Sequence, residues 1–243
     1  MTLFTPIRGP HNDGLPPDPG AVLFARVRPN ALRMPASEAP ALPRSGADRR
    51  RLKVGLMGGS FNPAHDGHRH VAETAMKRLG LDEVWWLVSP QNPLKPRTDM
   101  APYAERLASA RAVARHPRIK VKDIELYLGT HYTADTLVAL RRRCPYMSFV
   151  WIMGADNLAT FHRWERWSLI FHTAVIAVFD RPSYSLRALA SRAAKRFARA
   201  RVPERASRRL ANRRPPAWVF LHTRHHAASA TQIRAARQNG RAG

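Results

Sequence analysis

The chain has 243 residues, 44% of them hydrophobic, which is enough for one domain with a substantial core. Its 41 lysines and arginines against 17 acidic residues give a formal net charge of +24, which favours polyanionic ligands such as nucleotides, nucleic acid or anionic lipid. A single cysteine, Cys144, excludes an intramolecular disulfide and a cysteine-based zinc site. With no signal-like start and no apolar run of about 18 residues, the composition predicts a cytoplasmic protein without a membrane partner.

Residues 1–50 differ in composition from the rest of the chain. They are rich in proline and glycine and show no sustained hydrophobic periodicity. This pattern is typical of a segment that has no packed core. We therefore predict a disordered extension over residues 1–50 and a folded domain over residues 51–243. An alternative is that translation begins near Met34.

From Lys53 onward, apolar runs alternate with segments of helical periodicity. The apolar runs predict strands over residues 53–59, 83–90, 119–126, 147–156, 173–180 and 217–222. The helical patterns lie at 68–80, 101–116, 133–144, 157–170, 185–200 and 229–240, with Thr133 as a predicted N-cap. This order predicts an α/β fold, a Rossmann-like parallel sheet with helices on both faces. Ligands of such sheets bind beyond the carboxyl ends of the strands.

The stretch GGSFNPAHDGH, residues 58–68, follows the first predicted strand. Gly58 and Gly59 remove side chains where the backbone would meet a ligand, and the next helix presents its N-terminus to a phosphate. His65 and His68 can share one face and donate hydrogen bonds to phosphoryl oxygens. Two alternatives are an ordinary glycine turn with incidental histidines and a metal site that includes His70.

A second segment, SATQIR, lies at residues 229–234 near the end of the chain. Ser229 and Thr231 can cap a helix whose N-terminal amides face an anion. Arg234 adds a guanidinium that can hold phosphate oxygens in a fork. The alternative is an ordinary capped helix with a surface arginine.

Together these segments resemble the H-x-G-H nucleotidyltransferase superfamily, with S-x-T-x-I-R as its second signature. The segments SPQNPLK, HYTADTL, WIMGADN and FHRWERW follow in order and resemble the bacterial nicotinate-nucleotide adenylyltransferase family over residues 52–240. The resemblance implies adenylyl transfer from ATP, with Mg²⁺ on the triphosphate, to nicotinate mononucleotide. Other acceptors, such as nicotinamide mononucleotide or phosphopantetheine, are the alternatives within this class.

The resemblance also implies roles for individual residues. His65, His68 and Arg234 are the expected catalytic residues, and no protein metal ligands are expected. The expected ATP site comprises Gly58, Gly59, Ser60, Phe61, His65, His68, Gly154, Asp156, Ser229, Thr231 and Arg234. The expected nicotinate mononucleotide site comprises Asn92, Lys95, Tyr132, Thr133 and Trp164, with Trp164 stacking on the pyridine ring. For Asp156, Lys95 and Trp164 the alternatives are a helix cap, a solvated loop lysine and plain packing.

No motif accounts for the arginine-rich stretch at residues 187–214. Leu186, Leu189 and Ala193 recur at helical spacing and predict an amphipathic surface helix with a solvated basic face. Such a face could steer anionic substrates toward the site. Within this stretch, where Phe197 is the one aromatic residue, a set of aromatic side chains for base stacking and known RNA-binding signatures are missing, which argues against a nucleic-acid partner. A basic nucleic-acid-binding protein on the same scaffold is the alternative outside the enzyme class, and the sequence leaves the oligomeric state open.

Overall fold

The computed structural model describes residues 51–90 and 100–223. Several predictions lie outside these residues: the extension over 1–50, the helix over 229–240, and the roles of Asn92, Lys95, Ser229, Thr231 and Arg234. In the part of the chain that the structure describes, no helix is both long enough and apolar enough to cross a bilayer.

The described residues form a seven-stranded sheet in which every neighbouring pair is parallel. The strands are β1 (Leu52–Gly59), β2 (Glu83–Val88), β3 (Ile119–Lys122), β4 (Met147–Gly154), β5 (Val175–Phe179), β6 (Arg201–Val202) and β7 (Trp218–Leu221). Their order is β3-β2-β1-β4-β5-β7-β6. The chain therefore moves outward from β1 to β3 in one direction and from β4 through β5 to the edge strand β6 in the other, before β7 inserts between β5 and β6. The boundary between β1 and β4 is therefore the switch point at which such sheets bind ligands.

Helices cover both faces of this sheet. They are α1 (Asp66–Leu79), α2 (Tyr103–Val113), α3 (Ile124–Leu128), α4 (Thr133–Arg143), α5 (Ala155–Thr160), α6 (Trp167–Thr173), α7 (Ser185–Leu189) and α8 (Arg192–Arg196). Short 3₁₀ segments span Phe161–Arg163, Ala198–Ala200 and Glu204–Asn212.

Alternate residues of each strand enter two separate cores. On one face Trp151 and Trp218 pack with α3 to α8. On the other face Val150 and Val219 pack with α1, α2 and the 3₁₀ segment Glu204–Asn212. Because both faces are covered, the strands other than β6 are mostly apolar, which is why their positions could be predicted, whereas the two-residue β6 was not predicted.

Three predicted elements are wrong in extent. The strand predicted over 119–126 ends at Lys122, and Ile124–Leu128 is a helix that closes at Gly129 with φ +63°. The single helix predicted over 157–170 is broken, because Arg166 takes φ +48° between Phe161–Arg163 and α6. The N-cap of α4 is Tyr132, one residue before the predicted Thr133.

The basic helix predicted over 185–200 is also wrong. It consists of α7, α8 and a 3₁₀ turn, because the Ser191 hydroxyl accepts a hydrogen bond from the Ala194 amide and starts a new helix. The predicted apolar stripe is not formed, since Leu186 is 85% exposed whereas Ala193 is buried.

Candidate active site

A cavity of about 560 Å³ opens at the carboxyl ends of β1 and β4. It is lined by every predicted site residue that the structure describes: Gly58, Gly59, Ser60, Phe61, His65, His68, Tyr132, Thr133, Gly154, Asp156 and Trp164. These residues come from the ends of two neighbouring strands, from the starts of α1, α4 and α5, and, for Trp164, from the end of the 3₁₀ segment Phe161–Arg163. The fold thus brings the first motif together with the segments at 131–137 and 151–167.

Two glycines in this cavity leave no room for a side chain. A Cβ atom on Gly58 would lie 2.5 Å from the Trp151 ring, and one on Gly154 would lie 2.3 Å from Asp156 Oδ1. Both distances are far below van der Waals contact. Glycine at 58 and 154 therefore lets Trp151 and Asp156 pack directly against the main chain that lines the cavity.

His65 and His68 lie at the N-terminus of α1, where the helix dipole favours an anion. Their ring centroids are 3.9 Å apart, and Phe61 packs at 4.9 Å from the His68 ring. The main-chain N–H of His65 donates to His68 Nδ1 at 3.2 Å. Because Nδ1 is then an acceptor, the neutral His68 ring carries its proton on Nε2. His68 can therefore serve as a hydrogen-bond donor to an oxyanion in the cavity.

Asp156 lies in the first turn of α5, directly after β4. Its Oδ1 forms an ion pair with Arg181 Nε at 3.3 Å, and both residues line the cavity. Sequence analysis did not single out Arg181, although its position just after β5 was a usable signal, since ligands bind at strand ends.

Tyr132, Thr133 and Trp164 form another wall of the cavity. The turn that starts α4 is tied by Thr136, whose hydroxyl contacts the Thr130 hydroxyl at 2.8 Å and donates to the Tyr132 carbonyl at 3.2 Å. The Trp164 indole packs against Phe161 at 4.9 Å, so it contributes to the core and to the cavity at once.

Arg106 on α2 connects the main-chain segments that edge the cavity. Its side chain is 2% exposed and donates to the carbonyl oxygens of Ser60 (2.8 Å), Ser89 (2.7 Å), Pro90 (2.7 Å) and Ala101 (3.0 Å). Burial lowers the pKa of this guanidinium. Arg106 therefore holds the loop after β1 against the chain that leaves β2. Sequence analysis missed it, because an arginine in an amphipathic helix carries no signal that several carbonyls converge on it.

Glu125 on α3 is a second residue that sequence analysis missed. It is 6% exposed, lines the cavity and is hydrogen-bonded to the Ser89 side chain. Among the described residues, its Oε2 atom is buried without a hydrogen-bond partner. Burial raises the pKa of Glu125 to about 7, and the hydrogen bond from Ser89 opposes that rise only in part.

Metal-binding side chains do not converge in this part of the protein. Among residues 51–90 and 100–223, no group of three or more His, Cys, Asp or Glu side chains is arranged to hold a metal ion. The described cavity is lined by glycine main chain, imidazole and guanidinium groups, aromatic rings and four carboxyl side chains, those of Glu125, Asp156, Glu165 and Asp180.

Comparison with known proteins places this site in a family. Residues 56–236 match a family model described as cytidylyltransferase-like, which defines the class as nucleotidyltransferases. Over 183 residues the chain is 55% identical to a protein of Methylorubrum extorquens, a match that covers 75% of this chain and 99% of the relative. A protein of Rhizobium meliloti is 53% identical over 186 residues, which cover 76% and 99% of the two chains. Both relatives are named probable nicotinate-nucleotide adenylyltransferase.

Solved structures share the fold. The chain resembles a Plasmodium falciparum nicotinic acid mononucleotide adenylyltransferase complexed with NaAD, with a TM-score of 0.57 and 14% identity over 75% of this chain and 82% of that one. A second structure of that enzyme, complexed with APC, gives a TM-score of 0.56 over 76% and 83% of the two chains. The chain belongs to the nicotinate-nucleotide adenylyltransferase family. The fold class and the family predicted from the motifs are thereby confirmed.

Proposed function

We propose that this chain transfers the adenylyl group of ATP to nicotinate mononucleotide, giving deamido-NAD and pyrophosphate, a step of NAD biosynthesis. The observation that carries the proposal is the His65–His68 pair at the N-terminus of α1, within a cavity at the switch point of the sheet. The family to which the chain belongs supports the same reaction.

The reaction needs positioning more than proton transfer. A phosphate oxygen of nicotinate mononucleotide attacks the α-phosphorus of ATP. The bond from that phosphorus to the bridging oxygen breaks, and pyrophosphate leaves with the electron pair. A phosphate monoester is already largely ionised near neutral pH, because its second pKa is about 6. No strong general base is required, so catalysis rests on alignment and on neutralisation of charge.

His68 is the proposed centre of that neutralisation. Its Nδ1 is occupied by the main-chain N–H of His65, so Nε2 presents the donor proton. A donor fixed before the reaction costs no reorganisation as negative charge moves onto the phosphoryl oxygens. His65 and the amides at the start of α1 add to the same field. Arg234, outside the described residues, is the third proposed catalytic residue.

The remaining ATP contacts are proposed from the lining of the cavity. Gly58, Gly59, Ser60 and Phe61 form its main-chain wall, with Gly58 close to Trp151. Asp156, which lines the cavity next to Gly154, is proposed to accept a hydrogen bond from the ATP ribose or from a donor on the adenine side. Ser229, Thr231 and Arg234 are proposed to hold the β and γ phosphates. Mg²⁺ arrives as part of the ATP complex and usually keeps several waters.

The acceptor is proposed to lie on the other side of the cavity. Trp164 stacks on the pyridine ring, and the amides at the start of α4, near Tyr132 and Thr133, meet the pyridine carboxylate. Asn92 and Lys95 are proposed to bind the mononucleotide phosphate.

The test is pyrophosphate release from Mg²⁺ and ATP, with nicotinate mononucleotide and nicotinamide mononucleotide as parallel acceptors. We expect strong release with the acid and far less with the amide. His68→Ala should lower kcat by about 100-fold or more, as removal of one oxyanion donor does elsewhere. His116→Ala, which alters a histidine between α2 and β3 outside the cavity, is the matched control. Equal use of both acceptors would contradict the proposed specificity, and undiminished turnover in His68→Ala would contradict the proposed mechanism.

A further inference from the structure

Eleven exposed lysine and arginine side chains crowd one end of the sheet, and we call them the cationic belt. They are Arg187, Arg192, Lys195, Arg196, Arg199, Arg201, Arg205, Arg208, Arg209, Arg213 and Arg214. Glu204 is the one acidic residue between 185 and 214, and it is bound to Arg78 and His222. Within residues 51–90 and 100–223, no ion pair joins a member of the belt to a carboxylate. The positive charge of the belt is therefore available to a partner.

The belt passes from one face of the sheet to the other. On one face, α8 packs through Ala193 and Ala194 into the core that contains Trp218. On the opposite face, the 3₁₀ segment Glu204–Asn212 packs through Leu210 into the core that contains Val219. Between them β6 forms the sheet edge, where the Arg201 guanidinium lies 5.4 Å from the Trp218 ring centroid. A partner that uses the whole belt must bend around this edge.

An open cleft of about 840 Å³ lies at the α8 end of the belt. It is lined by Trp167, Ser168, Ala190, Arg192, Lys195 and Arg196, and none of these residues lines the active-site cavity. Trp167 comes from α6 and is anchored edge-to-face against Phe197 at 6.0 Å, with an interplanar angle of 89°. Phe197, the one aromatic residue within 187–214, is buried, whereas Trp167 is only partly buried and lines the cleft, so the fold adds an accessible aromatic ring beside the belt.

We propose that the cationic belt and the Trp167 cleft bind single-stranded nucleic acid. Arg192, Lys195 and Arg196 contact backbone phosphates, and a base packs on the Trp167 indole beside them. The strand then continues over Arg201 to the arginines of the segment Glu204–Asn212. A single strand is flexible enough to follow both faces and the edge, whereas a bilayer surface is too flat to do so. Because an indole lies beside the phosphate-binding cations, the cleft suits nucleic acid, which carries bases, better than it suits polyphosphate, which has none.

Salt-dependent binding of a labelled single-stranded oligonucleotide tests this proposal. Binding of an oligouridylate of about 20 nucleotides would be measured by fluorescence anisotropy across a series of salt concentrations. The triple variant R192A/K195A/R196A should reduce the salt slope of log K by roughly 2, since each lost phosphate contact removes about 0.7. R205A/R208A/R209A on the other face should reduce it by a similar amount. Trp167→Leu should weaken binding roughly tenfold, and Trp167→Phe should retain most of the affinity.

The matched control removes the same charge at the other end of the sheet. R111A/R118A/K120A alters three exposed cations near the β3 edge and should leave the salt slope unchanged. All three triple variants should keep wild-type pyrophosphate release, because none of their residues lines the active-site cavity. Equal loss of binding in the control variant would overturn the proposal. So would equal affinity for inorganic polyphosphate of matched charge, or stronger binding to phosphatidylserine vesicles than to the oligonucleotide.

Discussion

Arg106 is a buried cation whose donors are directed at main-chain carbonyls of the loops around the active site. Replacing it with methionine would leave the carbonyls of Ser60, Ser89 and Pro90 without this donor. Each buried acceptor left unsatisfied costs about 1–3 kcal/mol. We expect Arg106→Met to lower the free energy of unfolding by about 3 kcal/mol or more, as measured by urea denaturation.

The same variant should impair turnover even where it remains folded. Because Arg106 holds the loop that contains Ser60, its loss should lower kcat/KM by about tenfold or more at a temperature at which the variant is fully native. Arg111→Met, which changes an exposed arginine on the same helix, is the control and should be neutral. Unaltered kinetics in a folded Arg106→Met protein would show that the loop keeps its position without this side chain.

Glu125 should make stability depend on pH. Burial raises its pKa from the ordinary 4.5 to about 7, so the native state holds this proton more tightly than the unfolded chain. Stability from this residue is present at low pH and is lost as the pH rises from about 4.5 to about 7. Glu125→Gln keeps the shape of the side chain and replaces the titratable carboxyl group with a neutral amide. We expect the variant to gain roughly 2 kcal/mol relative to wild type between pH 5 and pH 8.

Urea denaturation of both proteins at the two pH values measures that gain. Other titrating groups are the same in both proteins and cancel in the difference. If the two stability curves run parallel, Glu125 is ionised at the same pH in the folded and unfolded chains.

At the scale of elements, two helices end at glycines whose backbone is left-handed. The two positions allow a matched comparison of Gly→Ala substitutions. Gly80 closes α1 with φ +62°, and Gly129 closes α3 with φ +63°. A Cβ on Gly80 would meet Arg208 Cγ at 3.4 Å, whereas within the described structure a Cβ on Gly129 would meet no atom within 4 Å. Gly129→Ala should therefore cost only the conformational term of about 1 kcal/mol. Gly80→Ala should cost the same or slightly more, as measured by thermal denaturation.

The elements also show what a sequence can and cannot predict. Six of the seven described strands were found because they are mostly apolar runs, and the first motif was placed because it follows β1. The strand β6 was missed, because it is two residues long and one of them is the exposed Arg201. The breaks at Arg166 and Ser191 were missed, since a left-handed arginine and an internal cap leave the apolar periodicity nearly unchanged. Arg106 and Glu125 were missed because their roles arise from segments distant in sequence, which a pattern of spacing does not reveal.

At the scale of the whole molecule, the described domain contains its own sheet and both of its cores within residues 51–223. We therefore expect a variant that lacks residues 1–50 to retain turnover close to that of the full chain. Pyrophosphate release by the two proteins, compared at equal concentration, tests this expectation. A large loss of activity on truncation would assign those residues a part in catalysis or folding.

The two ends of the sheet also affect how copies of the chain meet one another. β3 carries Lys120 and Lys122, and β6 is only two residues long, begins with Arg201 and is followed by Pro203. An open strand edge is where a second molecule can add its own strand and start an aggregate, and short, cationic edges with proline oppose this. Concentrated solutions of the protein at low ionic strength should therefore stay free of aggregates. Added salt should weaken this protection, because it screens the repulsion between the cationic edges of two molecules.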